Sequence, residues 1–246
     1  MLTFEFFEFF ESIFVLHPYT YLNRIFLIQF KLTFMGFLLN TYLFLSESKD
    51  IMVGSFIGSN VKPAKVDNYG PEIRKGILSN HFVTNFKRSH SSYIASQKRL
   101  SPKFSKYTED VVDLLYDHLL AATWKERSGY PYLDFVQNLY QDLLEFHSVF
   151  PYKMNRLLPF IISNNLFGLL ETMNGVHKYI KLMAKRDTLK GNFEYALTDF
   201  LENYVEFRKD FNVVLKDLTD FVQTDCKNIL EENSQNNTPK VIRTYK

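Results

Sequence analysis

Apolar residues recur at helical spacing along most of the chain, and polar breaks containing proline or glycine separate the runs. The most regular run lies between residues 200 and 221, where apolar residues step by four and three alternately, as in a heptad seam. It predicts one helix over about 193–230, roughly 57 Å long at about 1.5 Å per residue, that braces the whole bundle. We interpret it as a packing helix rather than a partner-binding coiled coil, because the seam covers few heptads.

Earlier runs predict shorter helices. The run over 107–124 is apolar nearly all the way round, which indicates a buried central helix. Pro71 and Glu72 suit the first turn of the helix that they begin. The run over 154–170 is kinked or begun at Pro159, and Asn174-Gly175 separates it from the next helix. The predicted spans are 35–45, 50–61, 71–88, 93–100, 107–124, 131–146, 154–170 and a helix through Tyr179 and Met183.

Composition places these helices in one all-α domain. Only 9 glycines and 8 prolines occur in 246 residues, which favours helices over strands and turns. Cys226 is the single cysteine, so it cannot form an internal disulfide, and we interpret it as an ordinary helix residue in a reducing, cytoplasmic compartment. No window has 18 or more uncharged apolar residues, so no membrane span is predicted.

The first 34 residues differ from the rest of the chain. They are rich in Phe, contain neither Gly nor Ala, and carry early acids at Glu5, Glu8 and Glu11, so they do not resemble a signal peptide. Two interpretations remain: a membrane-surface amphipathic segment, or a translated upstream stretch outside the natural protein. We favour the second, which makes Met35 the start. The predicted organisation is an extension over 1–34, one helical domain over 35–231 and a disordered tail over 232–246.

The net charge is only +2, but residues 62–106 contain ten basic and two acidic side chains. Such a surplus indicates either an acidic partner or a solvated face that is balanced by acids on other helices. No glycine-rich phosphate loop or DNA-reading motif supports nucleic acid as the partner. The candidate partner-binding residues are Lys62, Arg74, Lys75, Lys87 and Arg88.

The central helix carries polar residues that could support chemistry. Asp113 and Asp117 are four residues apart and share a face, and His118 follows directly. Buried carboxylates require compensation, so the group indicates a divalent metal such as Mg²⁺ or Mn²⁺, a basic side chain, or a buried hydrogen-bond network.

Several segments in order resemble the acyl carrier protein phosphodiesterase family, from about residue 35 to 222. The Asp-His-Leu-Leu-Ala stretch with its tryptophan is the most specific part. The similar segments are Met35-Gly36-Phe37-Leu38-Leu39-Asn40, Val53-Gly54-Ser55-Phe56-Ile57-Gly58, Lys75-Gly76-Ile77-Leu78, Val112-Asp113-Leu114-Leu115-Tyr116-Asp117-His118-Leu119-Leu120-Ala121 with Trp124, Leu158-Pro159-Phe160-Ile161, Asn165, Gly175-Val176, Met183 and Lys185-Arg186.

The resemblance implies an all-α, HD-like bundle related to metal-dependent phosphohydrolases. It also implies a role in lipid metabolism: release of 4′-phosphopantetheine from holo acyl carrier protein with Mn²⁺, which would polarise the phosphoryl oxygens and activate a water molecule. Here we assign Asp113, Asp117 and His118 as candidate metal ligands, and Asp117 and His118 as candidate catalytic residues. The acidic partner would be the carrier protein.

Four positions depart from the family's pattern. Asn40 and Asn80 stand where the family has histidine, and Ser59 and Thr84 stand where it has aspartate. These neutral side chains cannot neutralise a cation or accept a proton at neutral pH. Three hypotheses follow. The first is a working phosphodiesterase that uses Asp113, Asp117 and His118, with or without His81 or His90 as replacements. The second is a catalytically inactive homologue that keeps the fold, with or without the carrier-binding surface, and the third is an unrelated binding role, including nucleic acid.

Overall fold

The structure, a computed structural model, describes residues 36–100, 107–185 and 193–226. Regular structure in these residues is entirely helical, which confirms the predicted all-α class. Over the same residues, no helix is both long and apolar enough to cross a membrane. The predicted extension and tail lie outside the described residues. The described α-helices are α1 Phe37–Leu43, α2 Lys49–Gly58, α3 Pro71–Ser89, α4 Ser91–Arg99, α5 Thr108–Ala122, α6 Trp124–Ser128, α7 Tyr132–Glu145, α8 Tyr152–Asn155, α9 Leu158–Ser163, α10 Met173–Lys185, α11 Phe193–Glu202 and α12 Tyr204–Phe221.

Helices α2 and α3 pack closely because two glycines lie at their contact. A Cβ added to Gly76 would lie 2.1 Å from the Ile51 carbonyl oxygen, and one added to Gly54 would lie 2.2 Å from the Ile73 carbonyl oxygen. Gly58, one turn after Gly54, faces Asn80, so the two helices run in the same direction. A 3₁₀ helix, Pro63–Asn68, lies in the connection between them.

Helix α5 is the buried central helix that the sequence predicts. Its side chains are buried almost continuously from Val111 to Ala121, with Asp113 as the exception. Trp124 follows it at the start of α6, is fully buried, and stacks on Phe135 of α7 with ring centroids 4.1 Å apart. Most of the hydrophobic core is therefore organised around α5, and any polar group on this helix must find its partners inside the protein.

The predicted C-terminal helix is wrong in one respect, because it is interrupted at Asn203. The backbone there leaves the helical region (φ −117°, ψ 27°), and the Asn203 side chain donates to the Asp199 carbonyl oxygen at 2.9 Å. Asparagine competes in this way with helical hydrogen bonding. Helix α12 still packs through the predicted seam, burying Phe207, Phe211 and Leu218. A π-helical turn, Val222–Cys226, follows and ends with the buried Cys226; residues 227–230 lie outside the described residues.

The predicted helix over 154–170 is wrong as a single element, since it is divided into α8, α9 and a 3₁₀ helix, Gly168–Glu171. The predicted start at Pro159 is confirmed, because Pro159 lies in the first turn of α9. Asn165 adopts a left-handed backbone conformation (φ 47°), which a continuous helix cannot contain. Asn174 and Gly175, predicted to separate two helices, instead lie in the first turn of α10. Gly175 is required there by space, because a Cβ would lie 1.9 Å from the Leu169 carbonyl oxygen.

Candidate functional site

Asp117 of α5 is 2% exposed and caps the N-terminus of α1. Its carboxylate accepts backbone N–H groups from Gly36 at 2.9 Å, Leu39 at 2.9 Å and Leu38 at 3.4 Å. Gly36, the residue before α1, has no side chain to do this, so a carboxylate from another helix satisfies the free amides. Burial raises the pKa of Asp117 to about 7, while the bond from the Leu39 amide opposes the rise.

Asp113 lies one turn earlier on α5 and is held by a buried cation. Lys87 of α3 is 3% exposed, and its Nζ lies 2.5 Å from Asp113 Oδ1. The hydroxyl of Tyr93 donates to the same oxygen at 2.8 Å. Burial raises the pKa of Asp113, and the Lys87 ammonium opposes that rise. We call Lys87, Tyr93, Asp113 and Asp117 the acid cluster.

His118 does not join the acid cluster. Its Nδ1–H donates to the Leu170 carbonyl oxygen at 2.7 Å, and its ring packs edge-on against Phe200. Consecutive helical residues point about 100° apart, which separates His118 from Asp117. Burial lowers the pKa of His118 and so favours its neutral form.

These contacts test whether the predicted Mn²⁺ ligands fit a metal. Asp113 already bonds an ammonium, Asp117 bonds three amides, and His118 bonds a carbonyl group. Across residues 36–100, 107–185 and 193–226, no group of three or more His, Cys, Asp or Glu is placed to hold a metal ion. The described residues therefore do not fit the metal that the resemblance implies, and we derive no step through it.

The substituted positions form a second, neutral region. Asn80 is fully buried; it accepts from the Ser59 hydroxyl at 3.1 Å and donates to the Ser55 carbonyl oxygen at 2.9 Å. The Ser55 hydroxyl donates in turn to the carbonyl oxygen of the buried Asn40 at 3.4 Å. We call Asn40, Ser55, Ser59 and Asn80 the amide network. Thr84 lies one turn beyond Asn80 on α3 and is half-buried.

The two histidines considered as replacements both have other bonds. His81 Nε2 lies 3.0 Å from the Gly58 carbonyl oxygen, which can only accept. His90 Nδ1 accepts the Ser92 backbone N–H at 3.2 Å as the N-cap of α4, so its Nε2 carries the hydrogen that it donates to Asp217 at 3.0 Å. Each of these ring nitrogens therefore makes a hydrogen bond that stabilises the fold.

The predicted partner-binding residues divide into two groups. Lys87 is wrong as a surface residue, because it is buried in its ion pair with Asp113. Arg88 pairs with Glu109, and Arg74 lies 3.6 Å from Asp67. Among the described residues, no carboxylate lies within salt-bridge distance of Lys62 or Lys75. These two lysines remain the candidates for contact with an acidic partner; Lys103 and Lys106 lie outside the described residues.

Sequence reasoning missed Gly36 and Tyr93. A glycine before a helix and a tyrosine within a basic stretch carry no pattern that pairs them with acids 81 and 20 residues away. The spacing of Asp113 and Asp117 does show that they share one face of the helix. It does not show which groups bond the two carboxylates.

Together, the fold and the site define an all-α protein built around a buried helix whose inner face carries Asp113 and Asp117. Comparison with family models is more specific: the model for acyl carrier protein phosphodiesterase matches residues 35–218. The chain belongs to this family, as the resemblance of its motifs predicts. Comparisons with curated proteins and with solved structures gave no match.

Proposed function

We propose that the protein binds holo acyl carrier protein and leaves its 4′-phosphopantetheine phosphodiester intact. This is the inactive-homologue hypothesis. The observation that carries it is the bonding of the acid cluster, in which Lys87 and Tyr93 hold Asp113 and the start of α1 holds Asp117. Carboxylates that are committed in this way have structural partners in place of a metal or a reacting water.

Phosphodiester hydrolysis requires a group that activates water and a positive charge that stabilises the phosphoryl oxygens. The amide network offers neither, since Asn40, Ser59 and Asn80 are neutral and Asn80 is bonded on both its oxygen and its nitrogen. His81 and His90 contribute to helix ends instead. The working phosphodiesterase is therefore the weaker of the two hypotheses.

Carrier-protein binding is supported by family membership and by the surface near the amide network. The family's named activity concerns acyl carrier protein, the acidic partner expected from the sequence. Lys62 follows Ser59 by three residues and begins the 3₁₀ helix that packs on α3, and Lys75 lies in the first turns of α3. Cations that have no carboxylate within salt-bridge distance among the described residues favour association with an acidic protein.

The first experiment separates the two hypotheses. The purified chain is incubated with holo acyl carrier protein and Mn²⁺, and the mass of the carrier is followed. We expect the mass to remain unchanged over a period in which an active family member removes the prosthetic group completely. Loss of 4′-phosphopantetheine would overturn the proposal and favour the working enzyme.

The second experiment measures binding by isothermal titration calorimetry. We expect the wild-type chain to bind the carrier protein with an affinity that weakens as salt is added, because exposed charge pairs are screened. The double variant Lys62→Glu/Lys75→Glu should bind about tenfold more weakly. Lys209→Glu, which changes an exposed lysine on α12, is the matched control and should bind as the wild type does. Absence of wild-type binding would contradict the proposal.

A further inference from the structure

The acid cluster has one buried carboxylate, Asp117, one largely buried carboxylate, Asp113, and one buried cation, Lys87. Among the described residues, Lys87 is the single basic side chain within salt-bridge distance of either acid, and it contacts Asp113. Within the described part of the chain, Asp117 receives three amide N–H groups, and no basic side chain lies within salt-bridge distance of it. A buried charge without a counter-charge is costly, and a cation placed against Asp117 would offset part of that cost.

The backbone of Gly36 lies between the two carboxylates. Its nitrogen is 2.9 Å from Asp117 Oδ2, and a Cβ added to it would lie 3.1 Å from Asp113 Oδ2. Both bonds that Asp113 receives from Lys87 and Tyr93 go to its other oxygen, Oδ1. A positive charge on the Gly36 nitrogen would therefore face Asp117 directly and have Asp113 beside it.

The residues at this point of the chain allow the Gly36 nitrogen to become a charged amine. Met35 is the candidate translation start, and the residue after it is glycine. Initiator methionine is removed from chains in which a residue as small as glycine follows it. Hydrolysis of the Met35–Gly36 peptide bond consumes one water, releases methionine and leaves an α-amino group on Gly36, which is protonated at neutral pH.

We propose that the mature chain begins at Gly36 and that its terminal ammonium forms a buried ion pair with Asp117. Glycine suits this role for two further reasons. The left-handed backbone at Gly36 (φ 84°) strains any residue with a Cβ, and the Asp113 carboxylate leaves little room for one. The acid cluster then contains two ammonium groups for its two carboxylates, one from α3 and one from the chain terminus.

The first test is the mass of the natural product. The untagged coding region is expressed with its own upstream sequence, and the intact protein is measured by mass spectrometry. We expect a chain that starts at Gly36 and lacks residues 1–35. A product that begins at Met1, or one that retains Met35, would overturn the proposal, because Gly36 would then carry no free amine.

The second test measures the reactivity of the terminal amine in that same product. An amine-acylating reagent is applied at neutral pH, and modification of Gly36 is followed by peptide mapping. Burial in an ion pair should slow the reaction about a hundredfold relative to the same chain unfolded in urea. Asp117→Asn should raise the rate at which the Gly36 amine is acylated in the folded protein by roughly tenfold or more, because it removes the counter-charge. Asp142→Asn, the same change at a carboxylate paired with Lys49, should leave the rate unchanged.

The comparison of folded and unfolded wild-type chains does not depend on the variants. If Gly36 reacts as fast in the folded protein as in urea, the ion pair is excluded even if Asp117→Asn fails to fold. Equal rates in Asp117→Asn and the wild type would likewise exclude it.

Discussion

The acid cluster and the amide network lie on neighbouring helices, yet they differ in how their polar groups are compensated. The acid cluster keeps ionisable side chains and bonds them to Lys87, Tyr93 and the start of α1. The amide network consists of neutral side chains, and Ser59 and Asn80 bond each other between α2 and α3. The difference shows that a carboxylate on the inner face of α5 can serve the fold, because Asp113 and Asp117 accept hydrogen bonds from groups within the protein.

Removal of the buried cation should have the largest effect. Lys87→Met leaves Asp113 largely buried, with the Tyr93 hydroxyl as its one remaining side-chain donor among the described residues. We expect a loss of about 4 kcal/mol in the free energy of unfolding. Urea denaturation measures it. The double variant Lys87→Met/Asp113→Leu should recover most of this loss, since both partners of the ion pair are then replaced by apolar side chains. A loss below about 1 kcal/mol in the single variant would show that Lys87 does not compensate Asp113.

Disruption of the helix contact that supports the amide network should rank second. Gly76→Ala places a Cβ 2.1 Å from the Ile51 carbonyl oxygen, which forces α2 and α3 apart. We expect a loss of about 3 kcal/mol from overpacking, measured by thermal or urea unfolding. Gly70→Ala is the matched control, because no atom lies within 4 Å of its added Cβ and its φ is negative. Equal stability of the two variants would contradict the close contact.

The pH dependence of the free energy of unfolding, measured on the full 246-residue chain, should show the titration of Asp117. Its pKa is raised to about 7 in the folded protein, so the folded state binds a proton that the unfolded state releases near pH 4. The contribution of Asp117 to stability should therefore fall as the pH rises from about 4 to about 7 and level off above that.

The comparison is made with Asp117→Asn at each pH, because the lowered pKa of His118 gives both chains an opposite trend through its usual titration range. The free energy of unfolding of the wild type should fall by about 2 kcal/mol relative to the variant between pH 5 and pH 8. A constant difference would show that Asp117 keeps an ordinary pKa.

The smallest effect should come from the rim of the amide network. Ser59 is exposed, and its hydroxyl makes one neutral hydrogen bond to Asn80. Ser59→Ala should cost about 0.5–1 kcal/mol in the free energy of unfolding, measured in urea. Asn80→Ala should cost more, since it leaves the buried Ser55 carbonyl oxygen without its donor. The reverse order would indicate that the network depends on Ser59 rather than on Asn80.

The sequence predicts much of the fold, because helical periodicity and breakers are local signals. The buried α5, the start of α3 at Pro71 and the α12 seam all follow from spacing. The failures also have local causes that spacing cannot reveal: Asn203 and Asn165 interrupt helices whose apolar patterns continue across them. A single polar residue changes the backbone without changing the period.

By itself, the sequence determines the helical class, the family and the presence of two acids on one face of a central helix. Only the tertiary structure decides what those acids bond. It turns Lys87 from a predicted surface contact into the buried partner of Asp113, and it places Gly36 against Asp117, 81 residues away. The physical reason is that a buried charge is compensated by whichever groups the packing brings within hydrogen-bond distance, and that proximity is not encoded in local spacing.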